Sequence, residues 1–356
     1  MKLFLTVVVI ISIFWTVSVL AQPSVYIADT VSDNVSVLGC PGGDITDTIP
    51  VGDTPFGTVI SPDGDILYVT NISDDTVSVI DTATNTVIDT ITVGAFPNAA
   101  AITPDGNFLY VVNTFDDTVS VVDTTTNTAV DTVPVGFSPG AVGVTADGSA
   151  VYVSNTLDDT VSVIRTSDNT LIDTITVGDA PLAAVSSPDS SVVYIINQGD
   201  DNISVIQTLT NTIIDTILVG LLPQMVVFHP DGNSAYVTNF FDNSISVIRT
   251  ADRTVVDTIQ VGIGPLGIDI TADGLFLYIT DSAGGTVTVI NTSQNRVINT
   301  IGVGGSPSSF GTFITTGSCF VSAIPTLGQW GLISLVIVIG IAGFITIRRK
   351  SALQSM

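Results

Sequence analysis

The chain of 356 residues sets 33 acids against 8 Lys and Arg, one His and two Cys, for a formal charge of −25, and every acid is Asp. A chain without Glu and almost without Lys is not built from surface helices, and one this acidic cannot match a phosphate backbone, whose recognition rests on clustered Lys and Arg, so nucleic acid is excluded as a partner. Abundant Asp, Asn, Gly and Thr instead predict many turns between β-strands, around a core that 45% hydrophobic residues can fill.

At the N-terminus, Lys2 precedes an uncharged apolar run from Leu3 to Leu20 that ends in Val19-Leu20-Ala21 before Gln22 and Pro23. A basic start, an apolar stretch and a small-residue site predict a secretory signal peptide over residues 1–21. The alternative is an uncleaved anchor helix, since the run nearly spans a bilayer.

Beyond it the chain repeats. The seven Tyr residues stand at 26, 68, 110, 152, 194, 236 and 278, each 42 after the last. The same phase governs Val-Gly pairs ending at Gly52, Gly94, Gly136, Gly178, Gly220, Gly262 and Gly304, each followed three residues later by Pro, from Pro55 to Pro307. One unit predicts four strands, at residues 57–60, 66–70, 76–80 and 86–93, here called a to d from the inside outwards. They are separated by Pro62-Asp63-Gly64, Ser73-Asp74-Asp75 and Thr82 to Asn85, all turn compositions. A period of 40 to 45 with β patterning alone is the signature of propeller blades, so the fold class is all-β, a seven-bladed β-propeller over residues 22–319.

The wording Tyr68-Val69-Thr70-Asn71, echoed at Tyr236-Val237-Thr238-Asn239 and loosely at the other tyrosines, resembles the YVTN family of β-propeller repeats. The resemblance implies the fold and an exported setting, surface layers among them, and fixes no activity.

The mature chain begins at a b strand near Val25, so the first unit lacks its a strand and the last supplies a spare one near residues 308–315. That strand is expected to become the innermost strand of the first blade, closing the ring and removing its open edges. Cys40 falls in the c–d turn of the first unit and Cys319 just past the closing strand. Both turns then share one face of one blade, which predicts a Cys40–Cys319 disulfide rather than two free thiols and suits an oxidising compartment.

Four groups of residues invite a functional reading. Asp-Asp pairs recur in the b–c turns at Asp74-Asp75, Asp116-Asp117, Asp158-Asp159 and Asp200-Asp201, weakening to Asp242-Asn243 and Gly284-Gly285. Calcium suits such oxygens, but the turns lack the Asp-x-Asp-x-Asp-Gly order, so turn chemistry is the preferred reading and no cofactor is expected. A second series, Asp47, Asp89, Asp131, Asp173, Asp215 and Asp257, lies in the outermost strands, where charge discourages edge-to-edge association. His229 replaces a Ser or Thr before Pro230-Asp231-Gly232 and reads as a tolerated turn substitution. Last, repeat-variable apolar residues crowd the face of the b–c and d–a loops: Phe96, Phe137, Leu221, Leu222 and Ile263 from the latter, Ile72, Phe115, Leu157, Phe240 and Phe241 from the former. They predict either a binding surface for a protein or glycan, centred on Phe96, Phe115, Phe137, Leu157, Leu221, Leu222, Phe240 and Phe241, or packing between blades. Arg165, Arg249, Arg253 and Arg296 lie in or near c–d turns on the opposite face.

At the C-terminus, residues 320–330 form a linker and the string Ile324-Pro325-Thr326-Leu327-Gly328-Gln329-Trp330-Gly331; residues 331–347 are apolar, and Arg348, Arg349 and Lys350 open a basic tail over 348–356. Seventeen residues span about 25 Å as a helix, enough for one membrane crossing with the tail held in the cytoplasm. The string resembles the IPTLxxWG protein-sorting domain of Gram-negative bacteria, carried here by Ile324, Pro325, Thr326, Leu327, Trp330 and Gly331. The resemblance implies an exosortase-type membrane protease as a partner and passage from the inner membrane to the cell surface.

The reading that follows is an exported, non-enzymatic binding or structural module. Its rivals are a propeller enzyme, a lyase or lactone hydrolase, which needs polar residues converging at the channel mouth, and a calcium-dependent adhesion module. The four cations at the ends leave 33 Asp against four Arg between them, a formal charge of −29 on the exported part.

Overall fold

The computed structural model describes residues 23–317 and 319. The signal peptide, sorting motif, membrane helix and basic tail expected from the sequence lie outside these residues.

Each 42-residue unit forms four antiparallel strands because its apolar residues alternate while its Asp, Asn and Gly residues fall between them. Blade 2 is representative, with strands Pro55–Ile60, Ile66–Asn71, Thr76–Asp81 and Thr86–Thr92. Blades 3 to 7 repeat the pattern over 97–134, 139–176, 181–218, 223–260 and 265–302, and the described residues contain no helix. Val77 and Val79 alternate with Thr76 and Ser78 as expected, but both faces of the strand are covered, since Ser78 is buried as well. That burial is satisfied: the Asn71 side-chain amide donates to the hydroxyls of Ser78 (2.9 Å) and Thr76 (3.0 Å).

The core lies between blades rather than within them. Tyr26, Val35 and Ile49 of blade 1 pack with Ile60, Leu67 and Ile80 of blade 2, and Tyr110, Val119 and Val133 of blade 3 pack with Val142, Val151 and Ile164 of blade 4. The last junction brings Val25, Ile27 and Leu38 of blade 1 against Phe276, Tyr278 and Val289 of blade 7. Each blade therefore needs both neighbours to bury its apolar faces, and only a closed ring satisfies all of them.

Closure follows the expected route with one departure. Residues 306–315 run antiparallel along Ser24–Asp29, pairing Val25 with Ile314 and Asp29 with Pro307. Backbone bonds run from Tyr26 N–H to the Phe313 carbonyl (2.8 Å) and from Ser308 N–H to the Ala28 carbonyl (2.9 Å). The departure is that Phe310–Gly311 leave this ladder and pair in parallel with Gly57 and Thr58 of blade 2. The Ser309 hydroxyl fills the gap, accepting from Ala28 N–H (2.8 Å) and donating to the Tyr26 carbonyl (3.2 Å). The Cys40–Cys319 disulfide is present, with Cα atoms 5.4 Å apart, inside the usual range of disulfides.

Candidate functional site

The loop face is organised by the Asp-Asp pairs. The first Asp of each pair reaches back to the loop entering its own blade, as Asp116 Oδ2 does to Ala95 N–H (2.7 Å). The second reaches forward to the loop leaving it, as Asp117 Oδ1 does to Ser138 N–H (2.8 Å). Asp74-Asp75, Asp158-Asp159 and Asp200-Asp201 do the same, and Asn243 keeps the forward bond to Gly264 N–H (2.9 Å). Each of these carboxylates accepts one backbone N–H through one oxygen, and no cluster of three or more metal-ligating residues occurs among the described residues.

The forward bond, made to Thr54 by Asp33, holds the residue before the repeat prolines of blades 2 to 6 in the left-handed region, at Thr54 (φ 59), Phe96 (φ 59), Ser138 (φ 51), Ala180 (φ 49) and Leu222 (φ 52). Bulky residues are rare there, and placing Phe and Leu in that conformation costs on the order of 1–2 kcal/mol each. At these two positions the chain holds apolar side chains on the loop face in a conformation it would otherwise disfavour.

The predicted apolar residues are brought together in pairs. Phe96 stacks on Phe115 at 4.3 Å between ring centroids. Leu157 N–H bonds the Phe137 carbonyl, and Phe241 N–H bonds the Leu221 carbonyl, both at 3.3 Å, so these residues are neighbours across their loops. Phe240 meets Phe241 edge-on at 5.7 Å. Phe115, Phe137, Leu157, Leu221 and Phe241 are exposed, Phe115 by 71% and Leu157 by 75%, whereas Phe96, Leu222 and Phe240 are half-buried. Of the wider set Ile263 is exposed, but Ile72 is buried and belongs to the packing. Pairs thus mark the entries of blades 3, 4 and 6. Blade 5 interrupts them with Asp179 and Gly199 at the matching positions.

Within the ring, the a strands enclose a channel cavity of about 250 Å³ lined by small and apolar residues, among them Val59, Ala101, Gly143, Val185 and Val227. At the same repeat position blade 7 carries Asp269, the one ionisable side chain in this lining. It was not singled out from the sequence, although its place in a column of Val, Ala and Gly is the signal that could have found it. Asp269 Oδ2 accepts from Phe313 N–H (2.7 Å) and Ile314 N–H (3.0 Å), and Oδ1 from Ile270 N–H (2.8 Å). Burial pushes its carboxyl up to about 7, against the pull of those three donors. Its oxygens fasten the closing strand.

Two further readings gain detail. The outer-strand Asp residues, expected to keep edges apart, also staple neighbouring blades: Asn85 donates to Asp47, Asn127 to Asp89, Asn169 to Asp131 and Asn295 to Asp257, each at 3.0 Å. His229 sits in its turn as expected, with Nδ1 2.7 Å from Asp231 Oδ1.

Two family models match the chain. The one described as "Lactonase, 7-bladed beta-propeller" matches residues 57–132 and 123–213, which are blades 2 to 5, and the IPTL-CTERM motif matches residues 322–349. No curated protein matches. Among solved structures, hydrazine synthase from Kuenenia stuttgartiensis is 25% identical, with a TM-score of 0.66 over 73% of this chain and 89% of that one. A functionally unknown protein from Desulfotomaculum acetoxidans is 17% identical, with a TM-score of 0.73 over 84% of this chain and all of the other. The dihydro-heme d1 dehydrogenase NirN, solved with DHE, is 16% identical, with a TM-score of 0.61 over 78% of this chain and 63% of its own. The last two likenesses concern the fold alone.

Proposed function

We propose that this seven-bladed β-propeller, which ends in an IPTL-CTERM sorting motif and is thereby marked for export to the cell surface, serves there as a non-enzymatic binding module that engages a protein through its loop face. The observation that carries the reading is the strained presentation of apolar side chains: Phe96 and Leu222 held at positive φ beside exposed Phe115, Leu221 and Phe241. Aromatic anchors in a polar surround are the composition of protein interfaces, and each Asp of the surrounding pairs spends one oxygen on a backbone N–H. Sorting by an exosortase-type protease, with a cleaved signal peptide at one end and a membrane helix at the other, completes the reading and rests on the C-terminal motif.

The test is retention of a partner from envelope fractions by the wild-type chain and by a Phe115→Ser, Phe137→Ser, Phe241→Ser variant of equal melting temperature. Loss of a defined protein in the variant supports the reading. Unchanged retention, or retention of a glycan alone, overturns it.

The lactonase match favours a second reading, hydrolysis of a lactone by the ring. Asp269 is the acid in the channel, but it lies outside the matched blades and its oxygens are engaged by three backbone donors. Turnover of a lactone panel that Asp269→Asn abolishes without altering the fold would establish the enzyme in place of the binding module.

A further inference from the structure

On the face opposite the loop crown, a cleft recurs between neighbouring blades, bounded by the a–b turn of one and the c–d turn of the next. Its ordinary form is seen between blades 3 and 4. There Asn169 accepts a hydrogen bond from the Tyr110 hydroxyl (2.8 Å) and donates one to Asp131 (3.0 Å). Tyr26 bonds Asn85 (2.9 Å) and Tyr152 bonds Asn211 (2.8 Å) in the same way.

Between blades 5 and 6 this arrangement is broken. The position of the Asn is taken by Arg253, in the same left-handed conformation (φ 56). A guanidinium has no acceptor, so the Tyr194 hydroxyl lacks the Asn partner that Tyr26, Tyr110 and Tyr152 have, and Arg253 and the buried Tyr194 both line a cavity of about 410 Å³. Arg165 and Arg249 are locked in two-pronged pairs with Asp168 and Asp252. Arg253 instead holds Asp215 through one nitrogen at 3.4 Å. Phe228 stands where blades 2, 3, 4 and 7 carry Ile60, Ile102, Val144 and Ile270, and its ring lies 4.7 Å from that of Tyr194 as part of the apolar wall.

The rim supplies the opposite charge. Asp189 Oδ1 accepts from the Ser187 hydroxyl (2.6 Å), the Ser191 hydroxyl (2.7 Å) and Ser191 N–H (3.0 Å), and Asp231 Oδ1 accepts from Asn233 N–H (2.8 Å) and lies 2.7 Å from His229 Nδ1, so these contacts gather on one oxygen of each carboxylate. A simple anion entering here would meet these two carboxylates and a ring whose formal charge is −29. A simple cation would meet Arg253. A dipolar ligand satisfies both ends at no net cost in charge.

We propose that this cleft binds a small zwitterion, an amino acid or dipeptide, with its carboxylate on Arg253 and the Tyr194 hydroxyl, its ammonium on Asp189 and Asp231, and an apolar side chain against the Phe228 wall. The volume lies within the usual range of small-molecule sites, about 300–1,000 Å³. The site is separate from the loop crown and stands or falls without it.

The test is calorimetric titration of the full-length chain with glycylphenylalanine, its C-terminal amide and its N-acetyl derivative. The free dipeptide is expected to bind, and each blocked form to bind about tenfold or more weakly, since each loses one charged contact. Arg253→Asn restores the residue of the ordinary clefts, so it should leave the melting temperature unchanged while weakening the dipeptide about tenfold or more. Asp231→Asn should weaken the free dipeptide but not the N-acetyl form. No binding up to about 10 mM, equal binding of the amide, or full affinity in Arg253→Asn would each overturn the proposal.

Discussion

Blade 4 and blade 1 are built from the same 42-residue unit and held together differently. Blade 4 pairs all four strands through backbone ladders, from Pro139↔Asn155 on the inside to Arg165↔Thr170 on the outside. In blade 1 the inner strand arrives from the far end of the chain, and side chains take over where the ladder fails. Ser309 stands in for a backbone partner, Thr315 Oγ accepts from Ser24 N–H (2.8 Å), Thr312 Oγ from Ile60 N–H (3.1 Å), and Asp269 holds Phe313 and Ile314. The difference teaches that a regular blade spreads its cohesion over many equivalent bonds, while the seam concentrates it in a few residues with no counterpart elsewhere.

The comparison breaks most visibly at the disulfide. Replacing Cys40 and Cys319 with Ser frees a loop of 279 residues and should cost up to about 5 kcal/mol, with 2–4 typical, in denaturant unfolding. Hydrogen exchange should show Ser24–Asp29 opening before the strands of blade 4. Equal protection in the two blades would remove the distinction.

Asp269 comes next. Its carboxyl is raised from the ordinary carboxylate range to about 7, so the folded ring favours the protonated form. Its contribution is complete below about pH 4 and is lost as pH climbs towards 7, by on the order of 4 kcal/mol. Asp63, Asp105 and Asp147, lowered first by the Ser61, Thr103 and Thr145 hydroxyls, act with the opposite sign. Those carboxylates are shared by the wild type and Asp269→Asn, so the difference between their stability curves isolates the buried one. A flat difference between pH 4 and 7 would deny Asp269 its place in the seam.

For the regular blade, Asn155→Ala removes an amide that donates to Thr160 and Ser162 (both 3.0 Å) and accepts from Gly136 N–H (3.1 Å). The expected loss is about 2–3 kcal/mol by chemical denaturation, because Gly136 N–H and Ser162 lose their partner in a buried site. The same substitution in another regular blade should cost a similar amount. Ser309→Ala, at the seam, should cost about 1–2 kcal/mol and show as faster exchange at Ala28 N–H. An unchanged Ala28 would mean that a backbone group takes over its bond.

The strands, the blade count, the direction of closure and the disulfide were legible in the sequence because each depends on period and phase, which a drift-free repeat displays. The Val-Gly pair explains itself in the same frame: a Cβ at Gly136 would stand 2.6 Å from the Asn155 amide. What stayed hidden depends on partners far apart in the chain. The outer Asp residues read as edge charges because the Asn residues they bind lie 38 positions away, in the next blade. Asp269, and the departure of Arg253 from the other c–d turns, escape a reading of the sequence for another reason. Each is ordinary by type and unusual only beside its counterparts, Asp among Val, Ala and Gly, and Arg among Asn. The loop-face residues differ in their surroundings in a way their types do not announce: Phe115 and Leu157 project to solvent, whereas Ile72 packs.

The Asp-Asp pairs have a bearing on how such a chain can change its length. Each pair binds one backbone group 21 residues behind it and another 21 residues ahead, and the outer Asp–Asn staples add links of 38. A single residue inserted in any intervening loop would shift one end of such a bond relative to the other. Loops are ordinarily where proteins tolerate insertion; here they are measured on both sides. A ring of this kind can be expected to gain or shed whole units while resisting the small insertions that would blur its repeat, which gives a physical reason for seven tyrosines 42 residues apart.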